Sequence, residues 1–319
     1  MRTALIVVLL VATALVYALM LLRLLRPERY AFLVCAAAVA DWCILTAAPL
    51  AVAAALLRQP ALVVALTVPA VIQTGRLVEM LARNRRRAEP VAGSRLRLVT
   101  ANVLLTNPAM EALARDLAAL DADVCCLQEI TDEHLAAIKA AGLLDAYPHT
   151  VLDPRPGYHG SVILSRIPLE QAGQIEVGGG PMTQADLRLP GGVIRLVNVH
   201  TEAPLNRVKL AAWRRQLREL AGFTAPPGAE LVLAGDFNAT ADHRSMTALL
   251  RPLRDAFDDA GPGLGATWPR WRRPMPALLR LDHVLISPGL AVRAARAEVS
   301  TGSDHRRLVV DLAPGGRAV

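Results

Sequence analysis

The amino-terminal quarter of this chain is so apolar that it restricts the possible folds more than any other feature. Of 319 residues, 53% are hydrophobic and the mean hydropathy is +0.35, with the excess lying in residues 1–80. Ala4–Leu22 contains no charged residue, and about 20 such residues cross a bilayer. Two further apolar runs, Tyr30–Leu57 and Ala61–Met80, follow it. We therefore expect three transmembrane helices, because a soluble bundle needs a polar face on each helix and a cleaved signal peptide explains only the first run.

Arginine flanks these runs unevenly and predicts the side of the bilayer on which the rest of the chain lies. One side carries Arg23, Arg26, Arg29, Arg83, Arg85, Arg86 and Arg87, whereas the other carries Arg2 and Arg58. Positive loops stay in the cytoplasm. We expect a multi-pass protein of the cell membrane, with the bilayer as a partner and the residues after about 88 in the cytoplasm. The opposite orientation stays open, because Arg2 favours a cytoplasmic amino terminus.

The composition divides the chain into four parts. Residues 1–81 are expected to form the membrane domain and 82–95 a basic linker. Residues 96–314 are long enough for one large α/β domain, and 315–319 are a tail. The net charge is +7, and a basic surface favours anionic partners such as nucleic acid, phospholipid or phosphate esters. No obligate protein partner is evident. The spacing of the four cysteines indicates neither a zinc site nor a disulfide framework.

Short apolar strands recur through residues 96–312, separated first by helices and later by hairpins. Strands are expected at 96–103, 123–129, 160–165, 173–177, 183–189, 193–200, 231–234, 281–287 and 306–312, and helices at 110–120, 131–141, 205–220 and 245–253. This order predicts two sheets packed face to face with helices outside.

Polar side chains lie at the ends of these strands. They are Asn102, Glu129, His200, Asp236, Asn238, Asp282, His283, Asp304 and His305. Asp236 and Asn238 are two residues apart, so in an extended chain they project to the same side while Phe237 turns into the core. An Asx-turn also explains that pair taken alone. The whole set contains no Ser or Cys nucleophile, which favours metal-assisted hydrolysis over covalent acyl chemistry.

Seven blocks, in order along the chain, resemble the signature blocks of the endonuclease/exonuclease/phosphatase superfamily. They are Thr100-Ala101-Asn102, Leu127-Gln128-Glu129, residues 160–168, Asn198-Val199-His200, Gly235-Asp236-Phe237-Asn238, Leu281-Asp282-His283-Val284 and Gly302-Ser303-Asp304-His305. The resemblance implies the deoxyribonuclease-I-like fold, a four-layer α/β sandwich of two packed mixed sheets flanked by helices. It also implies one or two Mg²⁺ ions, for which Mn²⁺ is a possible substitute.

The resemblance further implies a metal-binding group of residues. Glu129 would be the principal metal ligand and Asn102 would help it. Asp304 would support either the metal or the neighbouring histidine, His305.

It also implies a group of residues that act on the phosphate and on the attacking water. Asp236 would orient or deprotonate the water, and Asn238 would hydrogen-bond the phosphate. His305, oriented by Asp282, would contact the scissile phosphate. His200 would be a second phosphate-facing histidine, for which Glu202, Asp153 and Asp186 are the candidate acidic partners.

Other residues have weaker assignments. Tyr158 and His159 precede a strand and could line the cleft. Trp271, Arg272 and Arg273 could stack on bases or contact headgroups, or could pack on the sandwich edge. His283 is expected to be structural, since it faces away from Asp282, and the other histidines, His134, His149 and His243, are expected at the surface.

Together these features predict a membrane-anchored, Mg²⁺-dependent phosphoesterase that hydrolyses a phosphodiester by attack of water. A nuclease and a phospholipid or sphingomyelin-type headgroup hydrolase are both open. The alternative is a noncatalytic, membrane-tethered binding module that keeps the fold. The complete set of strand-end residues argues against that alternative, because a binding module does not need all of them.

Overall fold

The computed structural model describes residues 1–83, 94–270 and 276–314. The helices within these ranges are α1 (Arg2–Leu25), α2 (Ala31–Leu45), α3 (Ala47–Leu56), α4 (Pro60–Arg83), α5 (Met110–Ala118), α6 (Asp132–Ala140), α7 (Arg207–Leu220), α8 (Arg244–Leu249) and α9 (Ala256–Ala260). The strands are β1 (Leu96–Asn102), β2 (Val124–Gln128), β3 (His149–Asp153), β4 (Ser161–Ser165), β5 (Leu169–Val177), β6 (Gly180–Leu189), β7 (Gly192–His200), β8 (Ala229–Asp236), β9 (Arg254–Asp255), β10 (Asp282–Ile286), β11 (Ala291–Val299) and β12 (Arg306–Ala313).

Two of the amino-terminal helices, rather than the three expected, are by themselves long and apolar enough to cross a bilayer. They are α1, with 24 residues, and the segment Pro60–Ala82 of α4, with 23. The middle predicted span is divided into α2 and α3, which meet at a bend of 43°. Neither half reaches the roughly 20 residues that a bilayer requires, so a third crossing would need the bent pair to act as one span.

The helices of this bundle are joined by polar contacts that periodicity could not reveal. The carboxylate of Asp41 on α2 lies 2.7 Å from Arg23 of α1 and 3.8 Å from Arg76 of α4. At the opposite end of the bundle, the Arg2 guanidinium donates to the carbonyl of Leu57. The start of α1 therefore lies beside the end of α3, away from the end where Arg23 and Arg76 meet.

Each sheet of the sandwich contains six strands and one parallel pair. The first has the order β11-β12-β1-β2-β4-β3, and the second β5-β6-β7-β8-β10-β9. The parallel pairs are β1 with β2 and β7 with β8, and the other neighbours are antiparallel. The predicted arrangement of two mixed sheets flanked by helices is confirmed.

Apolar side chains fill the space between the two sheets, and others cover the outer face of each sheet. Cys126 packs between the sheets, while its neighbour Cys125 faces the outer layer of α5 and α6, as expected for successive residues of a strand. Trp213 of α7 and Phe237 are fully buried against the outer face of the second sheet.

Three strands that the sequence pattern did not predict lie at sheet edges, namely β3, β11 and the two-residue β9. β3 and β11 each pair on one side only. Arg293 and Arg296 interrupt the apolar residues of β11, and three of the five residues of β3 are not buried. An edge strand can keep polar and small residues because one side remains in solvent, which removes the periodic signal.

One face of α2 packs against the α/β sandwich. The Trp42 indole donates to the carbonyl of Leu278 at 2.8 Å, and His243 Nε2 lies 3.1 Å from the carbonyl of Val34. Val34 is 1% exposed and belongs to the apolar cluster on the second sheet. Because this face is covered by protein, α2 cannot be surrounded by lipid along its length.

Candidate active site

The ends of the central strands bring the predicted residues together. Asn102 and His200 end β1 and β7, and Glu129 follows β2 directly. In the second sheet the parallel register places His200 beside Asp236, and the antiparallel register places Asp282 opposite Asp236. The sandwich therefore collects these side chains at one end, where all of them except Asp282 line a cavity of about 560 Å³.

Two carboxylates converge at the centre of this cavity. Asn102 Nδ2 donates to Glu129 Oε1 at 2.8 Å and to Asp236 Oδ2 at 3.1 Å. Glu129 Oε2 accepts from the backbone N–H of Leu105 at 2.6 Å, and Asn102 Oδ1 accepts from that of Leu104. In this orientation Asn102 bridges the two carboxylates through its nitrogen, and its oxygen is occupied by the backbone.

The backbone near these carboxylates has positive φ angles and close approaches between neighbouring segments. Glu129 has φ of 64° and Gly235 has φ of 152°. A side chain at Gly235 would place Cβ 1.9 Å from the carbonyl oxygen of Val199, and one at Gly160 would place it 1.8 Å from that of Ile130. The glycines next to the site therefore allow neighbouring strands to approach closely.

His305 lines the cavity and forms a buried pair with Asp282, which lies behind it. His305 Nδ1 lies 2.8 Å from Asp282 Oδ2, which leaves His305 Nε2 facing Asp236 Oδ2 at 3.7 Å. Burial by itself lowers the pKa of His305, but the charges of Asp282 and Asp236 outweigh it and raise that pKa to about 10. Asp282 is 0% exposed. It thus orients and charges His305 without reaching the cavity itself.

Asp236 and Asn238 are held together by a short loop. The backbone N–H of Asn238 donates to Asp236 Oδ1 at 2.8 Å, and Asn238 Nδ2 donates to the carbonyl of Thr201. Burial raises the pKa of Asp236, while the charge of His305 opposes that shift. The Asx-turn is thus part of the site, because it fixes Oδ1 of Asp236 and leaves Oδ2 at the centre of the cavity.

His200 faces both central carboxylates. Its Nε2 lies 3.9 Å from Glu129 Oε1 and 3.9 Å from Asp236 Oδ2. The three carboxylates considered as its acidic partner are paired with other cations instead. Asp153 binds Arg155, Asp186 binds Arg195, and Glu202 lies 3.5 Å from Lys209.

The remaining predicted residues occupy the rim or lie elsewhere. Asp304 lines the cavity, and its carboxylate accepts from the Trp268 indole at 3.1 Å. Tyr158 lines the cavity, whereas the neighbouring His159 side chain lies 3.5 Å from Glu202, and burial lowers the pKa of His159. The three loop residues Trp271, Arg272 and Arg273 lie outside the described residues.

Two residues that the sequence did not single out contribute to the site. Lys209 Nζ donates to the Tyr158 hydroxyl at 2.8 Å and lines the cavity. The one sequence feature that distinguished Lys209 is that Lys139 is the only other lysine. Ser303 Oγ donates to the carbonyl of Asn102 and accepts from the backbone N–H of His305, which joins β1 to the β12 loop.

Three histidines outside the catalytic set are buried. His283 is 0% exposed, with Nδ1 2.7 Å from Asp255 and Nε2 2.9 Å from the carbonyl of Ala239, which agrees with the structural role predicted for it. His134 and His243 were expected at the surface, and that expectation is wrong, since they are 7% and 3% exposed. His243 is buried because α2 covers it, a contact that the catalytic domain's own sequence does not indicate.

The donor set fits a hard divalent cation. Glu129 Oε1 and Asp236 Oδ2 both lie within hydrogen-bond distance of one amide nitrogen, so two negative oxygens are close together and a cation would relieve their repulsion. Carboxylate oxygens are the ligands that Mg²⁺ prefers. Ligand atoms of Asp236, Asp282 and His305 also lie within 4.8 Å of one another, but Asp282 and His305 already satisfy each other. Glu129 and Asp236 therefore suit the cation better.

Comparison with known proteins supports this architecture. The sequence profile of the Endonuclease/Exonuclease/phosphatase family matches residues 99–305. No curated protein sequence matches the chain.

Solved structures share the fold of the catalytic domain. The D. rerio TDP2 complex with a single-stranded DNA product is 19% identical, with a TM-score of 0.58, covering 69% of this chain and 99% of that one. An endonuclease/exonuclease/phosphatase from Bacteroides vulgatus is 17% identical, with a TM-score of 0.56 and coverages of 69% and 98%. A mannosyl-6-phosphatase from Bacteroides thetaiotaomicron is 16% identical, with a TM-score of 0.56 and coverages of 68% and 99%.

The match of the family profile extends from the middle of β1 to His305 and includes every strand-end residue that surrounds the cavity. The chain belongs to the Endonuclease/Exonuclease/phosphatase family.

Proposed function

We propose that this chain is a membrane-anchored, divalent-metal-dependent hydrolase of a phosphodiester. Membership of the family makes it a phosphoester hydrolase. The observation that carries the rest is the arrangement of Glu129, Asp236 and His305 around one cavity, with Asn102 joining the two carboxylates. Apolar α1 and α4 support the anchor.

Each side chain has a role that follows from its position. Asp236 has a raised pKa, and its Oδ2 lies at the cavity between Asn102 and His305, so it can orient the attacking water. Protonated His305 presents Nε2 as a donor to the phosphate or the leaving oxygen. His200 and Lys209 add donors at the cavity wall.

Glu129 and Asp236 would hold the cation, with Asp304 and the oxygen of Asn102 as further candidates. When bound, Mg²⁺ or Mn²⁺ would supply positive charge that stabilises the negative phosphate oxygens. The present hydrogen bond from Leu104 would have to yield if Asn102 ligated through oxygen.

The proposal is tested by assaying the full chain in amphipol against bis(4-nitrophenyl) phosphate, DNA, RNA and phospholipid vesicles, with Mg²⁺ and after chelation. We expect hydrolysis that requires the cation. Glu129→Gln and Asp236→Asn should each lower kcat by at least about 100-fold, since each removes charge next to the reacting phosphate. Near-normal turnover in Glu129→Gln would contradict the assigned metal ligand.

A matched carboxylate variant separates loss of chemistry from loss of fold. Glu111 is an exposed carboxylate on α5, away from the cavity. Glu111→Gln should retain full activity, and all three variants should unfold within a few degrees of the parent chain. Inactivity of the parent chain on every ester would refute the hydrolase assignment itself.

A further inference from the structure

The catalytic cavity has a polar end and an apolar wall made by a helix outside the catalytic domain. Asp236, His305 and Lys209 lie at the polar end. On the other side the same cavity is lined by Val34, Cys35, Ala38 and Val39 of α2. The spacing of these residues follows one face of a helix, at i, i+1, i+4 and i+5.

This wall is a fixed part of the site. Trp42 and His243 attach α2 to the catalytic domain through the two hydrogen bonds described above. His243 Nδ1 accepts from the backbone N–H of Thr240 at 2.9 Å, so Nε2 carries the proton that is donated to the carbonyl of Val34. Since His243 is 3% exposed, these bonds hold α2 against the cavity in a dry environment.

The catalytic domain adds apolar surface at the same place. Leu205 lines the cavity and is 69% exposed, and Val208, in the first turn of α7, is 78% exposed. Leu104, Leu105 and Leu281 continue the apolar lining towards Asp236. Exposed apolar side chains beside a helix that is continuous with membrane helices are typical of surface that meets lipid.

We propose that the substrate is a lipid phosphoester whose hydrocarbon part lies against α2 while its phosphate reaches Asp236 and His305. This inference rests on the proposed hydrolase function and names its substrate class. Water adds across one P–O ester bond, which yields an alcohol and a phosphate monoester without any redox partner. A nucleic acid or sugar phosphate would leave the α2 wall in contact with water and gain nothing from it.

The test uses a series of esters that differ only in the apolar part. They are 4-nitrophenyl ethyl, butyl, hexyl and octyl phosphate, assayed below their micelle concentrations with Mg²⁺ and the full chain in amphipol. Burial of each methylene should raise kcat/KM by about two- to fourfold. Release of 4-nitrophenol reports all four reactions identically.

Val39→Trp on the cavity wall should remove most of this dependence on chain length, because the indole would fill the apolar side. Val39 is 37% exposed, so the larger side chain has room. The readout is the ratio of kcat/KM between the octyl and ethyl esters within each variant, so a general loss of activity in Val39→Trp would not imitate a loss of this dependence. Val52→Trp is the matched control: Val52 is 61% exposed on α3 and does not line the cavity, and that variant should keep the dependence.

Partition of the longer esters into amphipol affects all variants equally. A difference in chain-length dependence between Val39→Trp and Val52→Trp would therefore come from contact with the wall. Equal kcat/KM for the ethyl and octyl esters in the parent chain would overturn the lipid substrate but leave a hydrolase. Retention of the full dependence in Val39→Trp would overturn the role of α2. Failure of the parent chain on every ester would refute the hydrolase function and this inference with it.

Discussion

At the scale of single residues, the charge of His305 depends on one buried carboxylate. Asp282 Oδ2 holds Nδ1 at 2.8 Å, and among the described residues its second oxygen accepts no hydrogen bond. Asp282 and Asp236 together keep the pKa of His305 at about 10 despite its burial. His305 is therefore protonated at neutral pH and can act as a donor.

Asp282→Asn should shift the alkaline limb of the pH profile to lower pH. In the parent chain kcat/KM for bis(4-nitrophenyl) phosphate should fall on the alkaline side as His305, whose pKa is raised by Asp282 and Asp236, loses its proton. Without the Asp282 charge, burial lowers that pKa, and activity should be lost at least one pH unit earlier. An unchanged limb would mean that Asp282 does not set the charge of His305.

The same pair makes stability depend on pH. The pKa of His305 in the folded chain, about 10, lies above the unfolded value of ~6.5. Its stabilisation is therefore complete below pH ~6.5 and is lost as the pH rises through about 10. Thermal unfolding of the parent chain should show this loss, and Asp282→Asn should show less of it.

At the scale of elements, the position of the carboxyl end of β8 depends on its close approach to β7. Gly235 pairs with Val199, and a Cβ there would lie 1.9 Å from the carbonyl oxygen of Val199. Strands cannot separate locally without moving His200 and Asp236, which are the next pair in the register. The glycine therefore positions the side chains of His200 and Asp236 as well as closing the sheet.

Gly235→Ala should destabilise the chain by about 3 kcal/mol or more, because it adds a steric clash to an unfavourable φ. Gly228→Ala is the control: Gly228 has φ of +79° but no atom within 4 Å of a Cβ, so only the strain of about 1 kcal/mol applies. Denaturant unfolding measures both changes. Equal losses would show that the contact with Val199 does not matter.

At the scale of the whole molecule, the helical bundle and the catalytic domain form one site. Arg76 of α4 lies 3.4 Å from Asp242 and 3.8 Å from Asp41, and Glu28 accepts from Ser245. The Arg76–Asp242 ion pair and the Glu28–Ser245 hydrogen bonds join the domain to the bundle on the side where α1 and α4 end. The start of α1, beside Leu57, lies on the other side.

Impermeant thiol labelling of intact cells tests the predicted orientation. With all four native cysteines replaced, Thr224→Cys places a thiol in an exposed loop of the catalytic domain. It should be shielded in intact cells and labelled after lysis if that domain is cytoplasmic. Gln59→Cys, between α3 and α4, should give the opposite result. Labelling of Thr224→Cys in intact cells would reverse the orientation.

The sequence by itself determined the fold class, the order of the strand-end residues and the apolar amino terminus, because each is carried by local periodicity or by adjacent residues. Tertiary structure decided what depends on contacts between distant residues. These include the pairing of Asp282 with His305, the partners of Asp41, and the edge strands β3 and β11. It also decided that α2 forms a wall of the catalytic cavity. An apolar helix has the same sequence pattern whether lipid or protein covers it, since burial in either removes the same surface from water.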